Sequence, residues 1–401
     1  MSLKHIFIPE LSCAGHYSIY LDNISRAYLK SGCFVTVTIL REFENHLLIQ
    51  KLNTEFKGKF RLEIISDKEH RTWIRKYLGN IGGEIANWIL FRKKFININS
   101  KFKIDYVFFP YFDYCMNVTG LLGSPFRQTP WSGICMSASI HHSWYKFHDK
   151  KNRLKWIKDL IFLQIFKIKT LKTLFTIDEL LIKYFQEKHI DLINRIKYLA
   201  DPVELKGNHS KESARKLLGI SQEAIIVLVY GMINKRKGIE TLLSAVHHID
   251  TPKSIKILIV GEQDKSIHSL FRSKIAIDLI EAKRIIFINN FVDSTIQQIA
   301  FSAADIVWLG YNNHLFMSGV LVLAGMAKKV VIGSHNGLIG WHVRDKSLGI
   351  TVDVKDINMV RKVLIYLSND LNRIIYQNNI SPIFNDYNWE NATKCILTIN
   401  N

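Results

Sequence analysis

The sequence predicts a two-domain α/β protein, each domain a doubly wound parallel sheet. Three observations carry this expectation. Short runs rich in β-branched and aromatic residues alternate with stretches of helical spacing, as strand–helix–strand units require. The alternation breaks once, near residues 196–210, and then restarts. A chain of 401 residues is also longer than one ordinary domain, at roughly 150 residues each.

The elements follow in order. KHIFIPEL (4–11) reads as a strand that ends in the small-residue turn Ser12 to Gly15. From His16 to Lys30 the apolar residues Ile19, Tyr20, Ile24, Ala27 and Tyr28 recur at helical spacing; Gly32 stops the helix, and CFVTVTIL (33–40) is the next strand. IDYVFFPY (104–111), SGICMSASI (132–140) and LKTLFTI (171–177) repeat the pattern, the last leading into the helix DELLIKYFQEK. Continuous apolar runs of this kind suit parallel strands buried on both faces. In IKYLADPVELKGNHS, Pro202 disfavours a helical Asp201, and Gly207, Asn208 and Ser210 read as loop. The expected division is 1–203, 204–380 and a last segment, 381–401. The second half then gives strands at 224–231, 254–261, 284–292, 305–311 and 329–334, with helices at 238–249 and 318–328.

Composition excludes several classes. Hydrophobic residues are 48% and charged residues 22%, with only 7 Pro and 21 Gly, so neither a disordered nor a collagen-like chain fits. The five Cys at 13, 33, 115, 135 and 395 form no C-x-x-C pair, which argues against a disulfide scaffold or structural zinc and for a reducing compartment. Glu10 interrupts what would have to be a signal peptide's apolar core, and no uncharged apolar run of about 18 residues occurs, so neither secretion nor a membrane span is expected.

In an open parallel sheet, ligands meet the loops and helix starts beyond the carboxyl ends of the strands. Three such places stand out. In SCAGHY (12–17), Gly15 lets backbone approach an anion and His16 could donate to it. In GMINKRKGIETLLSAV (231–246), Lys235, Arg236 and Lys237 precede a helix start, where positive potential would gather a phosphate or simply meet water. In HLFMSGVLVLAGMAKKVVI (314–332), Ser318 and Gly319 open a helix whose first amides could cradle a second phosphate. There is no G-x-G-x-x-G, no Walker loop and no D-x-D, so neither a dinucleotide fingerprint nor a magnesium-bridged donor is indicated.

These segments carry a resemblance. GMINKRKG with LLSAV resembles the "G-x-x-x-x-x-KG … LL-x-A" segment of the family-4 glycosyltransferases, the group 1 enzymes of GT-B fold. LIVGE (258–262), IIFINNFV (285–292), AADIVWLG (303–310), SGVLVLAGMAKKVVI (318–332) and GLIGWHV (337–343) follow in that family's order. The resemblance implies two Rossmann-like domains with an interdomain cleft and retaining sugar transfer without metal or cofactor. The donor, a nucleotide sugar bound as substrate, would sit on the C-terminal domain and the acceptor on the N-terminal one. Carried over position by position, Lys237 would stabilise the leaving diphosphate beside Arg236 and the amides of Ser318 and Gly319. Phe291 and Val292 would lie along the base, and Gly15 and His16 would approach the donor from the other domain. His141 and His142 stand where relatives place a histidine near the transferred sugar. Asp113 would orient an acceptor hydroxyl or cap the segment after it. The last segment resembles the helix that crosses back to the N-terminal domain, with Trp389 at the junction. Departures are specific: the family's E-x7-E falls on Phe316 and Ala324, and its arginine after the strand-ending glycine on Met232.

Lys and Arg give the chain a net charge of +19, which suits nucleic acid, acidic lipid or a phosphorylated substrate, or reflects a Lys-, Ile- and Asn-rich composition alone. Residues 67–104 hold nine Lys/Arg against three acids, and residues 141–172 hold nine against two. Trp73, Trp88, Phe91, Trp144, Trp156, Phe162 and Phe166 are interleaved with them. That pattern fits an anionic membrane surface, or else helices whose aromatic residues face the core, with Trp156, Ile157, Leu160, Ile161 and Leu163 as the second helix's inner face. No nucleic-acid motif accompanies the charge. The reading is a transferase on the cytoplasmic face of the inner membrane, passing sugar to a lipid-linked saccharide in surface-polysaccharide (O-antigen or capsule) assembly. The alternatives are a non-catalytic GT-B-like subunit and a basic nucleic-acid-binding protein.

Overall fold

The computed structural model describes residues 4–147, 155–207, 209–248, 250–290, 292–370, 372–374, 376, 384 and 386–398. Two compact units emerge: Met1–Tyr145 with Lys150–Ala200 and Trp389–Asn401, and Lys146–Asp149 with Asp201–Asn388.

The first unit is built on a seven-stranded sheet ordered β3-β2-β1-β4-β5-β6-β7, all pairs parallel. Its strands are β1 His5–Pro9, β2 Phe34–Leu40, β3 Phe60–Ile65, β4 Tyr106–Phe109, β5 Trp131–Cys135, β6 Leu171–Thr176 and β7 Ile196–Tyr198. The second unit's six parallel strands are ordered β10-β9-β8-β11-β12-β13. They are β8 Ile225–Tyr230, β9 Ile255–Val260, β10 Ile285–Ile288, β11 Ile306–Leu309, β12 Val330–Ser334 and β13 Gly349–Val352. Both orders are doubly wound, as expected.

Central strands are apolar throughout because helices cover both faces; in β1, Ile6, Phe7 and Ile8 are all buried. The strands that the sequence did not announce are β3, β7 and β13, and all three are edge strands, where polar and small residues interrupt the run. The helix His16–Lys30 forms where its spacing predicts and buries Tyr20, Leu21, Ile24, Tyr28 and Leu29. Against its Tyr20 stands Trp389, with ring centroids 4.8 Å apart and planes at 84°, and the helix Trp389–Leu397 also buries Ala392 and Ile396.

Several expected strands are shorter than predicted, and at two of them side-chain contacts mark the end. The 132–140 run is extended only over Trp131–Cys135, because the Asp113 carboxylate accepts from the Met136 and Ser137 amides at 2.8 and 2.9 Å and draws them out of the ladder. The 284–292 run stops at Ile288; beyond it the Asn289 side chain accepts from the Gln263 amide at 3.1 Å. The cores differ in kind. The first packs Phe7, Phe91, Phe95, Phe109, Phe126 and Trp131, and the second packs mostly Ile, Val and Leu.

Candidate functional site

Each sheet reverses its winding once, between β1 and β4 and between β8 and β11. Loops leaving the two strands at such a point diverge to opposite faces and open a crevice at the carboxyl ends. Each unit therefore has one place where residues distant in sequence converge.

In the second unit, β8 runs into Gly231 at φ 93°, and Gly261 at the exit of β9 lies so close that a Cβ on it would stand 2.0 Å from the Gly231 carbonyl oxygen. Asn234 then starts a tight turn, its Oδ1 accepting from the Arg236 amide at 3.2 Å. The turn is stitched to the exit of β11: the Asn312 amide donates to Arg236 O at 2.7 Å and Trp308 Nε1 donates to Lys237 O at 2.8 Å. Gly238 closes it at φ 61°, where a Cβ would meet Gly310 O at 2.0 Å. Lys237 consequently points inward. Its Nζ donates to Tyr230 O at 2.6 Å and to Tyr311 Oη at 2.7 Å, and lies 4.5 Å from the Tyr311 ring centroid. Two of the ammonium's three donors are thus accounted for.

Arg236 stays exposed, its guanidinium 5.1 Å from the same ring and its Nη1 3.2 Å from His314 Nδ1. Burial, and then the Arg236 charge, push the His314 imidazole down to about 4. At neutral pH the ring is uncharged, which fixes its roles: Nε2–H donates to Met317 O at 3.2 Å, and the Nδ1 lone pair receives Arg236. Lys237, Tyr311, Arg236, His314 and Met317 thereby connect the basic turn to Ser318, the cap of the helix Gly319–Met326. The Ser318 side chain makes no capping bond. The buried Asp201 carboxylate stands beside this helix start, since a Cβ on Gly319 would lie 3.7 Å from its Oδ2. A cavity of about 500 Å³ borders the turn, lined in part by Lys235, Glu240, Ser266, Ser269 and Asn312.

In the first unit the crevice lies between the loop after β1 and the loop after β4. Asp113 ties the β4 exit to the β5 exit through Met136 and Ser137, and burial raises its carboxyl above the usual range. With Glu84, Asn117, Ser137, Asp159 and Phe162 it lines a cavity of about 190 Å³. His141 and His142 are both fully buried, their rings 4.8 Å apart. His141 Nε2 stands 2.9 Å from Asp178 Oδ2, while Asp178 Oδ1 caps the helix Glu179–Lys188 through the Leu181 amide. Burial, then His141, hold the His142 imidazole down at about 3, so it is neutral.

Residues 224–370 match the family model described as glycosyl transferases group 1. That segment of the second unit is similar to a group 1 glycosyltransferase domain. Sequence comparison with curated proteins gives no match. Among solved structures, sucrose-phosphate synthase from Thermosynechococcus elongatus is 18% identical, covering 99% of this chain and 98% of that one at a TM-score of 0.66. WaaG, a glycosyltransferase involved in lipopolysaccharide biosynthesis, is 15% identical over 98% and 99% at 0.66. Anabaena HepE in complex with UDP and glucose is 13% identical over 98% of both chains at 0.66. At these identities the likeness gives the fold: two parallel-sheet, Rossmann-like units of GT-B type.

Of the expected site residues of this glycosyltransferase, the structure brings Arg236 and Lys237 together with the segment leading to Ser318 and Gly319. Val292 is half-buried in the loop after β10, and Phe291 lies outside the described residues. Gly15 and His16 are exposed in the first unit, where the His16 ring packs on Tyr20 with centroids 4.8 Å apart. Phe316 is half-buried, and Ala324 is inside the helix that Ser318 caps. Sequence reading missed His314, Tyr311 and Glu10. The signal available for the first two was only their place just after a central strand. Among the described residues no group of three or more His, Cys, Asp or Glu could hold a metal ion.

Proposed function

We propose that this glycosyltransferase takes a nucleoside-diphosphate sugar on its second unit and passes the sugar, with retention and without metal, to a lipid-linked saccharide in surface-polysaccharide assembly. One observation carries the donor half: the buried Lys237 ammonium, held by Tyr230 O and Tyr311 Oη, is coupled through Arg236 and His314 to the approach to Ser318. As the bond from the anomeric carbon to the diphosphate oxygen breaks, negative charge grows on the leaving group. Donors already fixed in place stabilise that charge without reorganising. The acceptor hydroxyl forms the new bond, and its proton passes to the departing diphosphate. HepE, solved with UDP and glucose, and WaaG, named for lipopolysaccharide biosynthesis, support this choice of donor and pathway.

Lipid-linked acceptors call for a membrane-facing surface, and exposed aromatic residues among the basic residues of the first unit support that reading. Trp73 (68% exposed), Tyr77 (70%), Leu78 (52%) and Ile81 (66%) are all exposed on or just after the short helix Trp73–Tyr77, which also carries Arg75 and Lys76. On the helix Lys155–Ile165, Trp156 and Leu160 face outward, and the inner face is Phe162 and Ile165. Trp88, Phe91 and Phe166 of the same basic stretches turn inward. Exposed aromatics among basic residues suit the headgroup layer of the anionic cytoplasmic leaflet, at about 1 kcal/mol per Lys or Arg near the surface. No described helix is long and apolar enough to cross a membrane.

A thermal-shift panel of UDP-, GDP- and other nucleotide sugars tests the donor reading, because a ligand at 100 times its Kd adds about 2.7 kcal/mol of stability. A panel without any stabilising member overturns it. Co-sedimentation with anionic vesicles tests the membrane reading separately: a W73A/I81A variant is expected to stay in the supernatant where the parent pellets.

A further inference from the structure

Glu10 lies at the carboxyl end of β1, directly before the loop that carries Gly15 and His16, and is fully buried. Its Oε1 accepts three hydrogen bonds: from the Leu11 amide at 2.7 Å, the Ser12 amide at 3.1 Å and Tyr114 Oη at 2.7 Å. Its backbone is pinned as well, the Glu10 amide donating to Thr38 Oγ1 at 3.1 Å and that hydroxyl donating back to Glu10 O at 3.1 Å. The other carboxyl oxygen, Oε2, is buried and makes no hydrogen bond among the described residues. The loop continues from this anchor through Ser12 Oγ, which accepts from the Ala14 amide at 3.0 Å, to the exposed Gly15 and His16. Tyr17 of the following helix then packs on Tyr111, with centroids 4.2 Å apart, and stacks parallel to Tyr114 at 6.0 Å.

We propose that Glu10 is a positioning residue: its carboxyl holds the loop from Leu11 to His16 against the exit of β4, and gaining or losing one proton there changes how firmly that loop is held. The inference concerns the first unit's crevice and rests on the proposed function only in taking that crevice as part of the transfer site. The physics is that of a carboxyl with one satisfied and one unsatisfied oxygen. Ionised, it is the better acceptor for the two loop amides and the tyrosine, but leaves a buried negative oxygen with no partner. Protonated, it loses that penalty, which outweighs the weaker acceptance, so the closed loop is held more firmly with the proton than without it. The groups facing it are Cys13 on the loop, Tyr17 on the helix His16–Lys30, Thr38 on β2 and Tyr114 after β4; none is cationic. Burial accordingly pushes the Glu10 carboxyl up to about 7, against the opposing pull of Tyr114, Leu11 and Ser12. The crossover thus falls in the neutral range, where a free carboxylate would have finished titrating.

The test uses the full chain, its E10Q variant, which keeps an oxygen acceptor but has no proton to lose, and Y114F, which keeps the ring but removes one donor to the anion. Amide hydrogen exchange of the peptide spanning 10–18 is measured from pH 5.5 to 8.5, corrected for the intrinsic rate. The parent is expected to lose protection through a single step that levels off near neutrality, because the closed loop holds the Glu10 proton more tightly than a solvated, opened loop does. E10Q is expected to show no step, and Y114F to show it at higher pH, since the anion has lost a stabilising donor. A step that survives unchanged in E10Q, or three superimposable profiles, overturns the proposal. The readout needs no substrate. Turnover of nucleotide sugar, followed over the same pH range, then shows separately whether the loop serves transfer, with a limb present in the parent and absent in E10Q.

Discussion

The two winding reversals are built alike and charged oppositely. In each, a buried ionisable side chain from the first strand or the loop after it bonds to a tyrosine hydroxyl from the loop across the reversal: Glu10 to Tyr114 at 2.7 Å, and Lys237 to Tyr311 at 2.7 Å. In the second unit the tyrosine accepts from an ammonium, and a neutral histidine steers an exposed arginine beside it. In the first the tyrosine donates to a carboxyl with no cation facing it. One skeleton thus holds a buried ammonium at one reversal and a buried carboxyl at the other. Under the proposed function, the donor's diphosphate would lie against the former.

Breaking the cationic side is expected to have the largest effect. If Lys237 faces the leaving group as proposed, Lys237→Ala removes a fixed donor from it, and steady-state kinetics with the stabilising nucleotide sugar should show kcat lower by about 10²–10³. Full activity in that variant would remove Lys237 from the reaction. Next in size is the stability of the acidic side. The folded-state value of Glu10, about 7, exceeds the ordinary 4.5, so its proton stabilises the fold below pH 4.5, and that contribution is lost as pH rises through 7. The loss is on the order of 3 kcal/mol. Glu10→Gln should therefore gain on the parent in Tm as pH rises from 5 to 8; a constant difference would remove the linkage.

The overall winding was legible because central strands and amphipathic helices write their burial into local periodicity: the helix His16–Lys30 and the strands around β8 fall where their spacing puts them. The contacts that make the crevices were not. Glu10 and Tyr114 are 104 residues apart, Arg236 and His314 are 78, and pairing across a winding reversal leaves no short-range pattern. Asp113 illustrates the same limit. Its position after a strand was visible, but that it would seize amides 23 and 24 residues later and shorten β5 was not.

Smaller effects sharpen the contrast. His314→Ala frees Arg236 from its acceptor, and calorimetry should show the nucleotide sugar bound several-fold more weakly, about 1 kcal/mol. In the parent, His314 stays neutral above about pH 4, so that binding should be flat from pH 5 to 8 as far as this ring is concerned, unlike the loop at Glu10. A limb near 6 that vanishes in His314→Ala would contradict the assignment. Least costly is Tyr311→Phe, which keeps the ring over Lys237 but removes one acceptor; chemical denaturation should register about 0.5–1.5 kcal/mol.

The pairing of Trp389 with Tyr20 bears on biosynthesis. The stretch that completes the first unit is made only after the whole second unit has been translated. During synthesis the β1 half must therefore wait on the ribosome with the hydrophobic seat for Trp389, Ala392 and Ile396 uncovered. A nascent chain stalled or cut before residue 389 should carry a finished second unit and a first unit prone to aggregate.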